Sequence, residues 1–185
     1  MFTEHTSDDE ILIEGIPKIV VDGIKFNQGE IITEAIVNID FTYSNDADEV
    51  LADIIAAPGF KGLVINNKVK GLIQELGIKN TQYFPLKLNE RVKGKTSSEY
   101  VIANIIGAFD VIDYSKSSLE IDPDDNSIEF IDSLSFCEIQ EVELPQMFRL
   151  SSFMPLVIVS EEVKLLFEEN HVTGVKFYKP EEFSL

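Results

Sequence analysis

The feature that most constrains this 185-residue chain is an internal repeat: residues 63–86 and 157–180 align without a gap, 94 positions apart. Leu63-Val64-Ile65-Asn66 falls on Val157-Ile158-Val159-Ser160, an apolar strand-like run ending in a side chain suited to a helix N-cap. Val69, Leu72 and Ile73 then recur at helical spacing, matched by Val163, Leu166 and Phe167. Gly77 and His171 stand at the helix ends, Ile78 and Val172 follow, and Tyr83 and Phe177 share a place in the returning segment. Each copy predicts strand, ten-residue helix, tight turn, strand. Two copies are too few for a solenoid, which needs at least three to bury a core. Two ordinary β-α-β units would look this way by coincidence, and so would a pseudo-symmetric pair packed against one sheet.

The rest of the chain reads as short strands and turns. Ile11-Leu12-Ile13, Ile19-Val20-Val21 and Ile36 to Phe41 are punctuated by Gly15, Pro17, Gly23 and Gly29. Asp46 with Glu49 has capping-box spacing, and Val50, Leu51, Ile54 and Ile55 share a face, which predicts a first helix ending at Pro58-Gly59. Tyr100 to Phe109 is the most apolar strand candidate. Segments 117–121 and 127–131 flank the turn sequence Asp122-Pro123-Asp124-Asp125-Asn126 and predict a hairpin. The expected fold is α+β, with a mixed β-sheet or sheets and about three short helices. No segment marks a boundary, so one domain is expected over residues 1–185, with a β-rich part at 1–58.

Composition narrows the function. Apolar residues make up 44%, enough for a domain of this size to bury roughly 70% of its surface without a staple. A lone Cys137 and two histidines leave no disulfide framework and no His-rich metal site, so neither a metal nor a cofactor is expected. The formal charge is −18, which disfavours nucleic acid because each phosphate contact needs a local cation. That charge is uneven. Residues 59–95 hold eight cations against Glu75 and Glu90, whereas 1–58 and 96–185 are strongly acidic. Such segregation fits a solvated face, or an acidic surface built for a basic protein such as a nuclease domain. The acidic N-terminus lacks a signal-peptide pattern, and the longest uncharged run, Leu150 to Ser160, is far short of the ~20 residues of a membrane span. A cytoplasmic protein with no membrane partner is expected.

Residues that could carry chemistry are few. His171 lacks a G-x-S-x-G partner and fits a helix end, and Cys137 reads as a small core residue. Asp122, Asp124 and Asn126 open an EF-hand spacing, but Ser127 and Ser133 replace the required glycine and bidentate acid. Gly94-Lys95-Thr96 lacks the rest of a phosphate loop. Asp110 and Asp113 could work as an acid/base pair, although loop-capping aspartates are commoner. Arg149, between Phe148 and Leu150, alternates to the other face of its strand. If buried there it needs a carboxylate, expected from Asp110 or Asp113.

Asn104, Asp110, Asp113 and Ser117 follow the spacing N-x-L-x-x-x-D-x-x-D-x-x-x-S, with isoleucine where that pattern has leucine. Phe148-Arg149-Leu150, then Val159-Ser160, then Gly174-Val175-Lys176-Phe177 follow in order. This succession resembles immunity protein family eleven of the bacterial polymorphic-toxin systems, long catalogued as a domain of unknown function; the likeness covers about residues 60–180. The resemblance implies a non-enzymatic cytoplasmic protein that binds and neutralises a cognate toxin, and the acidic charge is compatible with a basic one. It makes Asn104, Asp110, Asp113, Ser117, Phe148, Arg149, Ser160, Gly174 and Phe177 motif positions, with structural roles or a part in binding. It names no catalytic residue. An enzyme or small-ligand protein using the Asp110/Asp113/Arg149 region would instead show a pocket with shifted pKa values, and an oligomeric adaptor a large apolar patch. A homo-oligomer is compatible with each.

Overall fold

The computed structural model describes residues 2–4 (backbone only), 13–14, 24–36, 39–45, 50–60, 62–124, 126–138 and 144–184. In chain order the elements are β1 (Phe2–Glu4), β2 (Ile39–Tyr43), β3 (Ile54–Ile55), β4 (Leu63–Asn66), α1 (Asn67–Glu75), β5 (Thr81–Glu90), β6 (Thr96–Ser97) and β7 (Tyr100–Ile105). They continue with β8 (Ala108–Phe109), β9 (Ser118–Ile121), β10 (Ile128–Ser133), β11 (Met147–Leu150), β12 (Phe153–Val159), α2 (Glu161–Glu169) and β13 (Val175–Phe177). A 3-10 turn, Pro180–Glu182, comes last. The fold is mixed α+β. One sheet runs β2-β5-β7-β4-β3 with β6 beside β5, a second runs β13-β1-β12-β11-β8, and β9 pairs with β10.

The two repeat copies match residue by residue. Asn66 and Ser160 cap α1 and α2 by accepting from Val69 N at 3.0 Å and Val163 N at 3.3 Å. At the other end Gly77 N donates to Gln74 O and His171 N to Glu168 O, both at 3.0 Å. Both residues are left-handed, with φ of 70° and 50°, and Ile78 N and Val172 N reach back to Ile73 O and Phe167 O. The likeness extends to strand register. Leu63, Ala103 and Tyr83 form one row across β4, β7 and β5, and Val157, Phe2 and Phe177 form the equivalent row across β12, β1 and β13. Each unit is thus a split β-α-β, its two parallel strands separated by an antiparallel third. In one copy the inserted strand follows the unit in sequence; in the other it comes from residues 2–4. The units do not share one sheet, as expected for a pseudo-symmetric pair, but each builds its own.

The sheets and helices meet in a common core. Leu63, Ile65, Ala103 and Ile105 from one sheet, Met147 and Val157 from the other, and Val69, Ile73, Val163 and Phe167 from the helices form one buried cluster. A second cluster backs the larger sheet, where Ile39, Phe41 and Tyr43 alternate inward beneath Phe26. All six residues of β7 are buried, which explains a run that is apolar but for Asn104: both faces of this strand are covered. A third cluster, with Phe148, Leu150 and Ile158, carries the β9–β10 hairpin on Ile128 and Ile131.

The first helix expected from the sequence is not formed at its apolar end. Ile54 and Ile55 are β3, paired with Ile65 and Val64. The reason is burial on two sides: Ile54 enters the shared core and Ile55 the second cluster, each 1% exposed. A helix would turn both residues toward one stripe, whereas a strand sends successive side chains apart. Burying each is worth about 1.5–3 kcal/mol. The expected cap at 46–49, and the expected strand at 19–21, lie outside the described residues.

Candidate functional site

The motif residues fall on β7 and the β8–β9 loop, on β11, at the α2 cap, and on or next to β13. At the end of β7 the chain leaves one sheet and, as β8, joins the other. Asn104, 1% exposed, holds this corner by donating from Nδ2 to Glu30 O at 2.8 Å and to Gln82 Oε1 at 3.0 Å. Gln82 in turn clasps Ile32 through both its N–H and its carbonyl. Asn80 donates to Ile106 O at 2.6 Å and to Met147 O at 2.8 Å, tying β11 to the same corner. Gly107 turns the chain at φ 103°, donating to Gly29 O and accepting from Arg149 N. Only a residue without Cβ enters this angle cheaply.

Past the corner, Asp110 accepts from Tyr114 Oη at 2.9 Å and Ser152 Oγ at 3.3 Å. Asp113 accepts from Ser115 Oγ at 2.6 Å and pairs with Lys116 at 2.9 Å. The Ser115 hydroxyl and then Lys116 hold the Asp113 carboxyl down to about 2. Ser117 Oγ accepts from Ser135 N at 2.9 Å. Arg149 is buried, 3% exposed, and the bonds described for Asp110 and Asp113 go to other partners than its guanidinium, contrary to expectation. Its Nη1 donates to the carbonyls of Met154 at 3.0 Å and Pro155 at 3.4 Å, across the turn of its own hairpin. Asp113 is engaged by Ser115 and Lys116 of its own loop, and Asp110 by Tyr114 and by Ser152 in the β11–β12 turn. Phe148 stacks edge-on against Phe109 at 5.3 Å.

Ser160 caps α2, as above. Gly174, at φ 77°, lies against β3 so closely that a Cβ there would stand 1.8 Å from Ile54 O. The same contact hosts a polar cluster that sequence reasoning missed. Asp53 accepts from Asn66 Nδ2 at 2.6 Å, Lys68 Nζ at 2.8 Å and Thr173 N at 3.0 Å. Burial pushes the Asp53 carboxyl up, but the bonds from Lys68, Thr173 and Asn66 outweigh it and hold it below the usual range. Its signal was hidden because Asp53 lay inside the expected helix. Phe177 packs edge-on against Phe167 at 6.3 Å. A cleft of about 440 Å³ opens beside Ser160 and Phe177, lined also by Phe136, Ile158, Lys164 and Tyr178. Lys164 there is matched by Glu161 at 3.0 Å.

The candidate chemical groups are not brought together. His171 neighbours the Asp53 cluster, with its carbonyl accepting from Lys68, while Asp110 faces Tyr114 and Ser152. None of His171, Asp110 and Asp113 lines the cleft. Cys137, expected in the core, is exposed. The bridge between Ile112 and Phe136 turns Phe136 toward the core and Cys137 away from it. Among the described residues no group of three or more His, Cys, Asp or Glu is arranged to hold a metal. No helix among them is long and apolar enough to cross a membrane.

Two split β-α-β units, each with its own sheet and helix and meeting in one core, define a mixed α+β domain. Residues 11–182 match the family model described as Immunity protein family (Imm11). That match spans nearly the whole chain, and the protein belongs to this family. It extends the likeness read from residues 60–180 across the N-terminal strands. No curated protein matches the chain.

Proposed function

We propose that this chain is a cytoplasmic immunity protein of a bacterial polymorphic-toxin system, binding a cognate toxin domain and neutralising it without turnover. The family match over residues 11–182 carries this reading. The geometry supports it in one respect: the motif positions Asn104, Asp113, Ser117, Ser160 and Gly174 serve corners, loops and caps. The partner is a protein, with neither nucleic acid nor a lipid bilayer engaged, and the charge of −18 favours a basic one.

A tagged full-length chain recovered from its native bacterium, with mass spectrometry of what co-purifies stoichiometrically, tests this. One toxin polypeptide in a one-to-one complex is expected. Recovery of the bait alone, under conditions where the toxin is expressed, overturns the proposal.

A further inference from the structure

Residues 110–144 carry eleven acids and a single cation, Lys116, which is already paired with Asp113. Within that segment, and among the described residues, β9 and β10 pair with each other alone. The hairpin is seated on the molecule through Ile128 and Ile131, 8% and 0% exposed. Leu119, opposite Ile131, packs against the same cluster, and Ile121, opposite Ile128, edges that inner face at 42% exposure. On the other face Phe130, opposite Glu120 in the register, is 45% exposed. Glu120, Glu129 and Asp132 are exposed beside it. An exposed aromatic on a rigid strand is the kind of apolar anchor that carries binding energy at protein interfaces, and the carboxylates beside it supply charge complementarity to a basic partner. Because the hairpin is fixed from beneath, little ordering entropy is lost when a partner docks.

We propose that the outward face of the β9–β10 hairpin is the surface that receives the toxin domain, Phe130 entering an apolar pocket of the partner ringed by lysines and arginines. This rests on the immunity function proposed above and names the face that performs it. The carboxylates steer a cationic partner and set register, while Phe130 slows dissociation. A second copy of this chain could also offer cations, at the turn holding Arg91, Lys93 and Lys95 with Val92 60% exposed. That contact joins two different faces, and unless its rotation closes a ring it builds open chains, so it is the weaker occupant.

The test uses the full-length chain and the toxin domain recovered by co-purification. Phe130→Ala is expected to weaken binding about 30-fold or more, mainly through faster dissociation. Glu129→Lys combined with Asp132→Lys is expected to slow association about tenfold at low salt. Val92→Ser, at the other charge pole, leaves both rates unchanged. All four residues are exposed, and unchanged circular dichroism and melting confirm folding. In a strain lacking its own copy, wild type protects against toxin-delivering siblings and Phe130→Ala does not. If wild type binds and protects while the hairpin variants do so equally well, this surface is wrong and the immunity function stands. If wild type neither binds nor protects, both fall. Light scattering that shows self-association, abolished by Phe130→Ala and without toxin binding, assigns the face to a second copy and overturns the proposal.

Discussion

At the scale of single residues, the equivalent turns after α1 and α2 show how far one backbone angle depends on its surroundings. Gly77 and His171 occupy the same left-handed position, yet one has no Cβ and the other carries a full side chain. An L-residue there costs about 1–2 kcal/mol, partly offset by the greater chain entropy a glycine loses on folding. His171→Gly is therefore expected to stabilise the protein by about 0.5–1 kcal/mol in chemical denaturation. Three residues on, Gly174→Ala is expected to cost about 3–5 kcal/mol, since the new Cβ meets the Ile54 carbonyl as well as an unfavourable φ. A cost below about 1 kcal/mol would show that β3 yields easily. Asp53, which joins the same turn to α1, gives a pH-dependent signal. Its folded pKa lies below the unfolded value, so its contribution is complete above the ordinary carboxylate range and is lost as pH falls through the depressed folded value. Denaturation of wild type and Asp53→Asn should differ at pH 7 and converge in acid; a constant difference would place the role of Asp53 outside its charge.

At the scale of elements, the inserted strand is what makes each unit a sheet. Thr3 of β1 pairs with Lys176 of β13, and its neighbour Phe2 bridges β12 and β13. Thr3→Pro removes a ladder donor from a strand with partners on both sides, which a sheet interior resists. The expected loss is about 1–3 kcal/mol, with amide exchange accelerated in β12 and β13 but not in β4, β5 and β7. Uniform acceleration across both sheets would mean that they open together. The strand-helix-strand units were legible because cap, apolar spacing and left-handed terminator are local signals, and all three coincide at Asn66 to Gly77 and at Ser160 to His171. The β9–β10 hairpin was legible from its turn. The role of β1 was not, since three residues carry no periodicity and their partners lie over 150 positions away. Ile54-Ile55 was misread because apolar pairs fit a helix face and a doubly buried strand equally well until both cores are known. The motif was visible as a pattern, but what it does depends on contacts such as Asn104 to Glu30, which spacing does not encode.

At the scale of the whole molecule, charge and architecture divide along the same line. The cation-rich stretch 59–95 contains β4, α1 and β5 of the larger sheet, whereas the acid-rich stretch 110–144 contains β9 and β10, which pack on the cluster of the smaller one. A net charge of −18 repels itself in the compact state, and salt screens that repulsion. Raising sodium chloride from about 0.05 M to about 0.5 M shortens the Debye length from roughly 14 Å to 4 Å, which should raise the melting temperature by a few degrees. The same screening removes the field that draws in a basic toxin, so over that range the association rate should fall by about tenfold or more. Stability and binding must therefore respond to salt with opposite signs. Melting curves and stopped-flow association, run across one salt series, check both. An association rate indifferent to salt, alongside a rising melting temperature, would mean that the acidic surface solvates the fold and plays no part in meeting the partner.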